Sequence, residues 1–245
     1  MLIEQTLQKI RAIKLHGLAN ALEQQLAQPD IQQLSFEERI GLLIDRELLD
    51  RSNRKVNKLL KSAKLRQSAC VENIDYQHPR GLDRSYIATL TTCDFIRHHH
   101  NLFITGPTGS GKSWIACAIG QQACRQGLTV KYSRFTKLLE ELRITHADGR
   151  YLQLLQQLAK YDLLILDDFG IDPLEPQQQR DLLEIVEDRH KLKSTLITSQ
   201  LAIKHWHEYI AEPTVADAII DRLIHHSHKL ELKIGEANSM RKKFD

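Results

Sequence analysis

Gly106-Pro107-Thr108-Gly109-Ser110-Gly111-Lys112-Ser113 fulfils the pattern G-x-x-x-x-G-K-[ST] in full. Each residue type meets a demand of phosphate chemistry. Glycines let the main chain wrap close to an anion with its N–H groups turned inward. A helix beginning near Gly111 adds the partial positive charge of its N-terminus. In such a loop Lys112 spans the β and γ phosphates of a nucleotide, and the Ser113 hydroxyl ligates Mg2+. Chance alone produces the pattern in a chain of this length on the order of once per hundred sequences, from average residue usage. The chemistry it announces is the binding of ATP or GTP with Mg2+.

A phosphate cradle needs an acidic partner for the metal, and "YDLLILDDFG" supplies one, with Leu163 to Leu166 running into Asp167 and Asp168. As a buried parallel strand this segment delivers Asp167 at its C-terminal end, next to the cradle, to hold the metal through water. Asp168 is then placed to orient or deprotonate a water attacking the γ phosphate. Paired aspartates also begin turns, but a turn leaves the apolar run unexplained. "KSTLITSQ" is a further strand ending in hydroxyls and an amide, where Gln200 can contact the γ phosphate or the attacking water.

These residues need a scaffold, and the chain alternates strand and helix patterns around them. Asn101 to Thr105 reads as a buried strand leading into the cradle, and "LTVKYSRF" as a second. Two helical patterns separated around Ala147-Asp148-Gly149 follow, then the strand with the acids, the helix "EPQQQRDLLEIVEDRHK" and the Gln200 strand. "ADAIIDRLIHHSHKLELKIG" adds a helix with Arg222 near its end and a last strand around Lys229 to Lys233. Such alternation predicts an α/β fold with a parallel sheet.

The first part of the chain is helical instead. Ile3, Leu7 and Ile10, then Leu15, Leu18, Leu22 and Leu26, recur at helical spacing, while Ser35 and Glu38 stand where each side chain caps the other's backbone. A small helical bundle is expected. From Arg51 to Arg66 seven basic side chains occur without one acid, with Arg51, Arg54, Lys55, Lys58, Lys61 and Arg66 on one side of a helix. Val56, Leu59, Leu60 and Ala63 fall on the other side, and Leu65 breaks the pattern. A solvated outer face accounts for many basic helices. The absence of any carboxylate in these 16 residues favours a rail for nucleic-acid phosphates.

Composition is compatible with such a partner without demanding it: 245 residues, 42% hydrophobic, 27% charged, net charge +3 and an isoelectric point of about 8.6. No run reaches transmembrane length, and the charged start lacks a secretory signal, so a cytoplasmic protein with no membrane association is expected. Cys70, Cys93, Cys117 and Cys124 form no C-x-x-C pair and read as structural, and three adjacent imidazoles at His98 to His100 cannot all face one metal ion.

Taken together, "GPTGSGKSWIACAIG", "LLILDDFG", "TLITSQ" and "ADAIIDRLIHHSHKLELK", with the N-terminal "HGLANALEQQL" and "LSFEERIGLLIDRE", resemble the IstB transposition-helper ATPases of the AAA+ class. The likeness covers essentially the whole chain and extends to DnaC helicase loaders and DnaA initiators. It implies an AAA+ P-loop core with a five-stranded parallel sheet over 101–245, preceded, on the reading of the residues, by a helical N-terminal domain over 1–70 and a linker with a short helix over 71–100. The chain departs from many AAA+ proteins in ending soon after the last strand, so no C-terminal lid domain is expected. It further implies that Gly106 to Ser113 form the Walker A loop, Asp167 and Asp168 the Walker B acids, and Gln200 the sensor I residue, where many AAA+ proteins have Asn. Arg222 takes the place of the arginine finger that reaches a neighbouring subunit's γ phosphate, and an ordinary ion pair with Asp221 is the alternative for it. Arg241 is the one candidate for sensor II. The implied activity is ATP hydrolysis controlling a homo-oligomer on duplex DNA that presents the DNA to a cognate transposase. In that setting the basic helix gains a partner, and Lys137 and Arg143 offer a second DNA-facing site. A DnaC-like helicase loader shares this fold and switch, and a small-molecule P-loop kinase shares the cradle alone.

Overall fold

Consecutive apolar residues centre the segments "NLFIT", "LLIL" and "STLIT" because a strand covered on both faces needs no alternating polar side. In the computed structural model, which describes residues 2–77 and 80–233, the strands are β1 (Asn101–Thr105), β2 (Val130–Arg134), β3 (Leu163–Phe169), β4 (Ser194–Ser199) and β5 (Ser227–Glu231). They form one parallel sheet in the order β2-β3-β4-β1-β5. β5 begins two residues ahead of the expected Lys229, because Ser227 already pairs opposite Asn101.

Helices α1 (Leu2–Ala12), α2 (His16–Ala27) and α3 (Phe36–Ala63) open the chain, and α4 (Arg84–Thr91) and α5 (Asp94–Arg97) lead into β1. After β1 come α6 (Lys112–Arg125), then α7 (Phe135–Asp148) and α8 (Tyr151–Lys160) between β2 and β3. α9 (Pro176–Arg189) connects β3 to β4, while α10 (Trp206–Ile210) and α11 (Pro213–Ile224) connect β4 to β5.

Two compact units result, Met1–Lys58 and Leu59–Asp245. In the first, Ser35 and Glu38 form the expected reciprocal cap: the Ser35 N–H donates to Glu38 Oε2 at 2.8 Å and the Glu38 N–H to Ser35 Oγ at 3.2 Å. α2 and α3 approach closely at Gly17, where an added Cβ would stand 2.7 Å from Asp50 Cβ and 2.9 Å from the Arg46 carbonyl oxygen. The largely covered Glu47 carboxylate accepts from the Leu18 N–H at 3.0 Å, satisfying a free donor at the start of α2.

In the second unit successive strand residues point to opposite faces. Leu102, Ile104, Leu163, Ile165 and Leu196 pack beneath α6, whereas Phe103, Leu164, Leu166 and Ile197 pack against α7 to α11. The α6 layer has an outer cover of its own: Leu59, Leu60, Ala63, Leu65 and Ala69, with Ile87 and Leu90 of α4, join the same core cluster. α6 is squeezed between this cover and the sheet at Gly120, whose missing Cβ leaves room for Ile165 Cδ1 and Leu65 Cδ2. α3 ends at Ala63, Lys64 turns left-handed (φ 52°) and Leu65 drops into the core. The basic stripe therefore stops at Lys61, and Arg66 is not on the helix face where its spacing put it.

Candidate nucleotide-binding site

The phosphate loop connects β1 to α6 at the C-terminal edge of the sheet, where open parallel sheets carry their ligands. Gly106 (φ 147°), Gly109 (φ 82°) and Gly111 (φ 91°) all hold backbone conformations that side chains resist. Two of them also have no space for a side chain. A Cβ on Gly106 would lie 2.4 Å from the Leu232 carbonyl oxygen, and one on Gly111 would lie 2.6 Å from Arg80 Nη1.

α6 starts at Lys112 with no side-chain cap, so N–H groups of its first turn are left for a ligand. Among the described residues the buried Ser110 hydroxyl within the loop has no hydrogen-bond partner. Lys112 Nζ folds over the loop, donating to the carbonyls of Gly106 at 2.8 Å and Pro107 at 2.9 Å. The loop opens on a cleft of about 420 Å³, lined also by Arg66, Arg80, Ser113, Trp114, Asp168 and Gln200. That volume suits a small organic ligand.

Asp167 enters from the interior. It is fully buried, its Oδ2 accepting from the Tyr132 hydroxyl at 2.5 Å and its Oδ1 from the Thr198 hydroxyl at 2.6 Å. Burial, reinforced by the bond to this carboxylate, pushes the Tyr132 phenol well up from its ordinary pKa. The β3–β4 register is interrupted between Leu166 and Phe169, and Asp168 takes a left-handed φ of 63°. Its N–H donates to Thr198 Oγ1 at 3.0 Å, and its side chain lines the cleft. Gln200 closes the far side, its Oε1 accepting from the Thr108 hydroxyl at 2.5 Å and linking the residue after β4 to the phosphate loop.

Among the described residues no three His, Cys, Asp or Glu side chains gather as a metal site. A cation here would have one buried carboxylate, Asp167, and one hydroxyl, Ser113. That sparse set suits Mg2+, which keeps several waters and takes phosphate oxygens for the rest.

Spacing missed three arginines. Arg66 Nη1 lies 3.7 Å from both Asp167 Oδ2 and Asp168 Oδ2, and Arg134 Nε lies 3.5 Å from Asp168 Oδ2. The buried Arg80 donates to the carbonyls of Ser110 at 3.2 Å and Asp75 at 3.1 Å, bracing the loop. The break at Leu65 was the one signal that Arg66 leaves the basic helix. Nothing in the sequence around Arg80 or Arg134 marks them.

Arg222 stands elsewhere. On α11 it pairs with Glu187 of α9, not with Asp221, and its Nη1 donates to the Ala218 carbonyl at 3.0 Å. It is not among the residues lining the cleft. Of the basic candidates, Arg51 pairs with Glu47 and Arg54 with Glu47 and Asp50, acids placed just before the acid-free run. Lys55, Lys58 and Lys61 are exposed on α3 and have no ion pair among the described residues. Lys137 is exposed on α7, and Arg143 donates two hydrogen bonds to the Glu140 carboxylate at 2.9 and 2.7 Å. Arg241 lies outside the described residues.

Residues 8–245 match the family described as IstB-like ATP binding protein. A protein of Sinorhizobium fredii named as an insertion sequence ATP-binding protein, y4pL, is 46% identical over 97% of this chain and 96% of its own. Another, named for insertion sequence IS1162 of Pseudomonas fluorescens, is 51% identical over 82% of this chain and 87% of its own. Among solved structures, the DnaC helicase loader superposes with a TM-score of 0.56 at 22% identity, over 70% of this chain and 100% of its own. AMPPCP-bound DnaA from Aquifex aeolicus gives 0.56 at 19% identity, over 74% of this chain and 54% of its own. At those identities the likeness is one of fold, and it is the AAA+ fold.

Proposed function

Since the chain belongs to the family of IstB-like ATP-binding proteins of insertion sequences, we propose that it is a transposition helper whose ATP hydrolysis switches an oligomer on duplex DNA. The oligomer delivers that DNA to the transposase of the same element. The observation that carries this reading is the convergence of the phosphate loop with Asp168 and Gln200 on one cleft, with Asp167 buried next to Asp168 and Arg222 paired with Glu187 outside the cleft lining.

Within the cleft Lys112 leaves the loop carbonyls for the β and γ phosphates, and the N–H groups of Gly109 to Ser113 hold the remaining oxygens. Ser113 and Asp167 would hold Mg2+, which would supply positive charge to the phosphates. Asp168 takes a proton from water as its oxygen attacks the γ phosphorus and the bond to the ADP oxygen breaks. Gln200, steadied by Thr108, orients that water. Arg222 completes the site of a neighbouring copy, for which its place outside its own cleft is the supporting observation. Lys55, Lys58 and Lys61, with Lys137 as a second contact, meet DNA phosphates.

Particle size on duplex DNA tests this directly. Multimers are expected with ATP and not with ADP, and Lys112→Ala is expected to abolish them. A monomer in every condition would sink the proposal.

A further inference from the structure

Asp167 and Asp168 are already facing a cation of the protein's own. Arg66 is 3.7 Å from a carboxylate oxygen of each, close enough for strong attraction but looser than a direct hydrogen bond. The other donors on Asp167 are the uncharged hydroxyls of Tyr132 and Thr198. The guanidinium thus supplies the positive charge at this buried acid. Its own side chain is 46% exposed and donates a hydrogen bond to the Tyr132 hydroxyl, so it is tethered beside the acids yet reachable from solvent. Its backbone is anchored nonetheless: Leu65 sits in the core against α6, the helix that begins with Lys112.

We propose that Arg66 is a positioning residue that stands in for the divalent cation at the two acids and competes with it. While Arg66 spans both carboxylates, Asp167 is occupied as a metal acid and Asp168 is tied as a base, its Oδ2 also facing Arg134. Loading of the cation displaces the guanidinium and frees both acids together. Because the backbone beside it is anchored through Leu65, this exchange involves the Arg66 side chain alone. The inference rests on the reading of Asp167 as the metal acid.

The test is Mn2+ affinity, read from the electron paramagnetic resonance signal of free Mn2+, for the full chain saturated with a non-hydrolysable ATP analogue. Arg66→Gln is expected to bind Mn2+ about three- to tenfold more tightly than wild type, the range for removing a half-exposed charge competitor. Arg66→Lys, which keeps the charge, is expected to stay within about twofold of wild type. Unchanged or weaker Mn2+ binding in Arg66→Gln overturns the proposal while leaving the metal site standing. Asp167→Asn separates the two failures. It is expected to lose Mn2+ binding, and wild-type affinity in that variant would overturn the metal assignment and the Arg66 inference with it.

Discussion

Asp167 shows how one carboxylate is made ready at a cleft. A charge with no exposed surface is costly unless its oxygens are bonded, and here each oxygen receives one hydroxyl, from Tyr132 and from Thr198. Tyr132→Phe removes one of these donors without changing shape. The expected cost is about 1–3 kcal/mol of stability, measured by urea unfolding. A loss under about 0.5 kcal/mol would mean that the carboxylate is held by other means. The acid itself was readable from its apolar run; its tyrosine was not, because an aromatic side chain in a strand reads as packing. Glycines in the loop were likewise readable as a pattern, but the reason for Gly106 is a carbonyl from the far end of the chain. Gly106→Ala is expected to weaken nucleotide binding at least tenfold in calorimetry, since its Cβ would press on the Leu232 carbonyl at 2.4 Å. Gly149→Ala, also at a positive φ (78°) but with nothing within 4 Å, provides the control: about 1 kcal/mol of stability and unchanged binding. Equal effects of the two substitutions would refute the steric account.

Among the elements, β1 and β5 meet at their N-terminal ends, at the pole of the sheet opposite the phosphate loop. His100 stacks on His226 with centroids 5.5 Å apart and lies 5.7 Å from His228, with His98 at 6.1 Å. Burial, and then the charges of its histidine neighbours, lower the pKa of His100, and burial lowers that of His228. Both are therefore harder to protonate in the fold than in the unfolded chain, where they take up protons near the ordinary value of about 6.5. Stability from this cluster is complete above that value and is lost as the pH falls through it toward the lowered folded values. The melting temperature is expected to drop between pH 7 and pH 5, and to drop less in His100→Gln and His228→Gln. Parallel pH profiles for variants and wild type would show that the cluster does not carry the effect. The run His98 to His100 was visible in the sequence, whereas His226 and His228 joined it through parallel pairing of β1 with β5.

At the scale of the whole molecule the question is which charges are free to meet DNA. Arg51, Arg54 and Arg143 are engaged by Glu47, Asp50 and Glu140, whereas Lys55, Lys58 and Lys61, in the acid-free part of α3, have no ion pair among the described residues. Duplex binding is expected to fall steeply between about 50 and 200 mM salt. The triple substitution of these lysines by glutamine is expected to reduce the slope of log affinity against log salt by about 3. Replacing Arg51 and Arg54 is expected to change it less. Binding insensitive to salt, or an unchanged slope in the lysine variant, would exclude this surface. Among the described residues no helix is long and apolar enough to cross a membrane.

The amino-acid sequence by itself determined the phosphate loop, the two acids and the alternation that makes a parallel sheet. Each is encoded in a short stretch, where local spacing and strand burial leave few readings. Tertiary structure decided what surrounds them. The bond between Thr108 and Gln200 spans 92 positions and that between Tyr132 and Asp167 spans 35, and Arg66 reaches the acids only because Leu65 ends the basic helix and packs beside Gly120. Contacts so distant along the chain have no periodicity to announce them; they exist because the sheet and α6 bring their carriers to one edge.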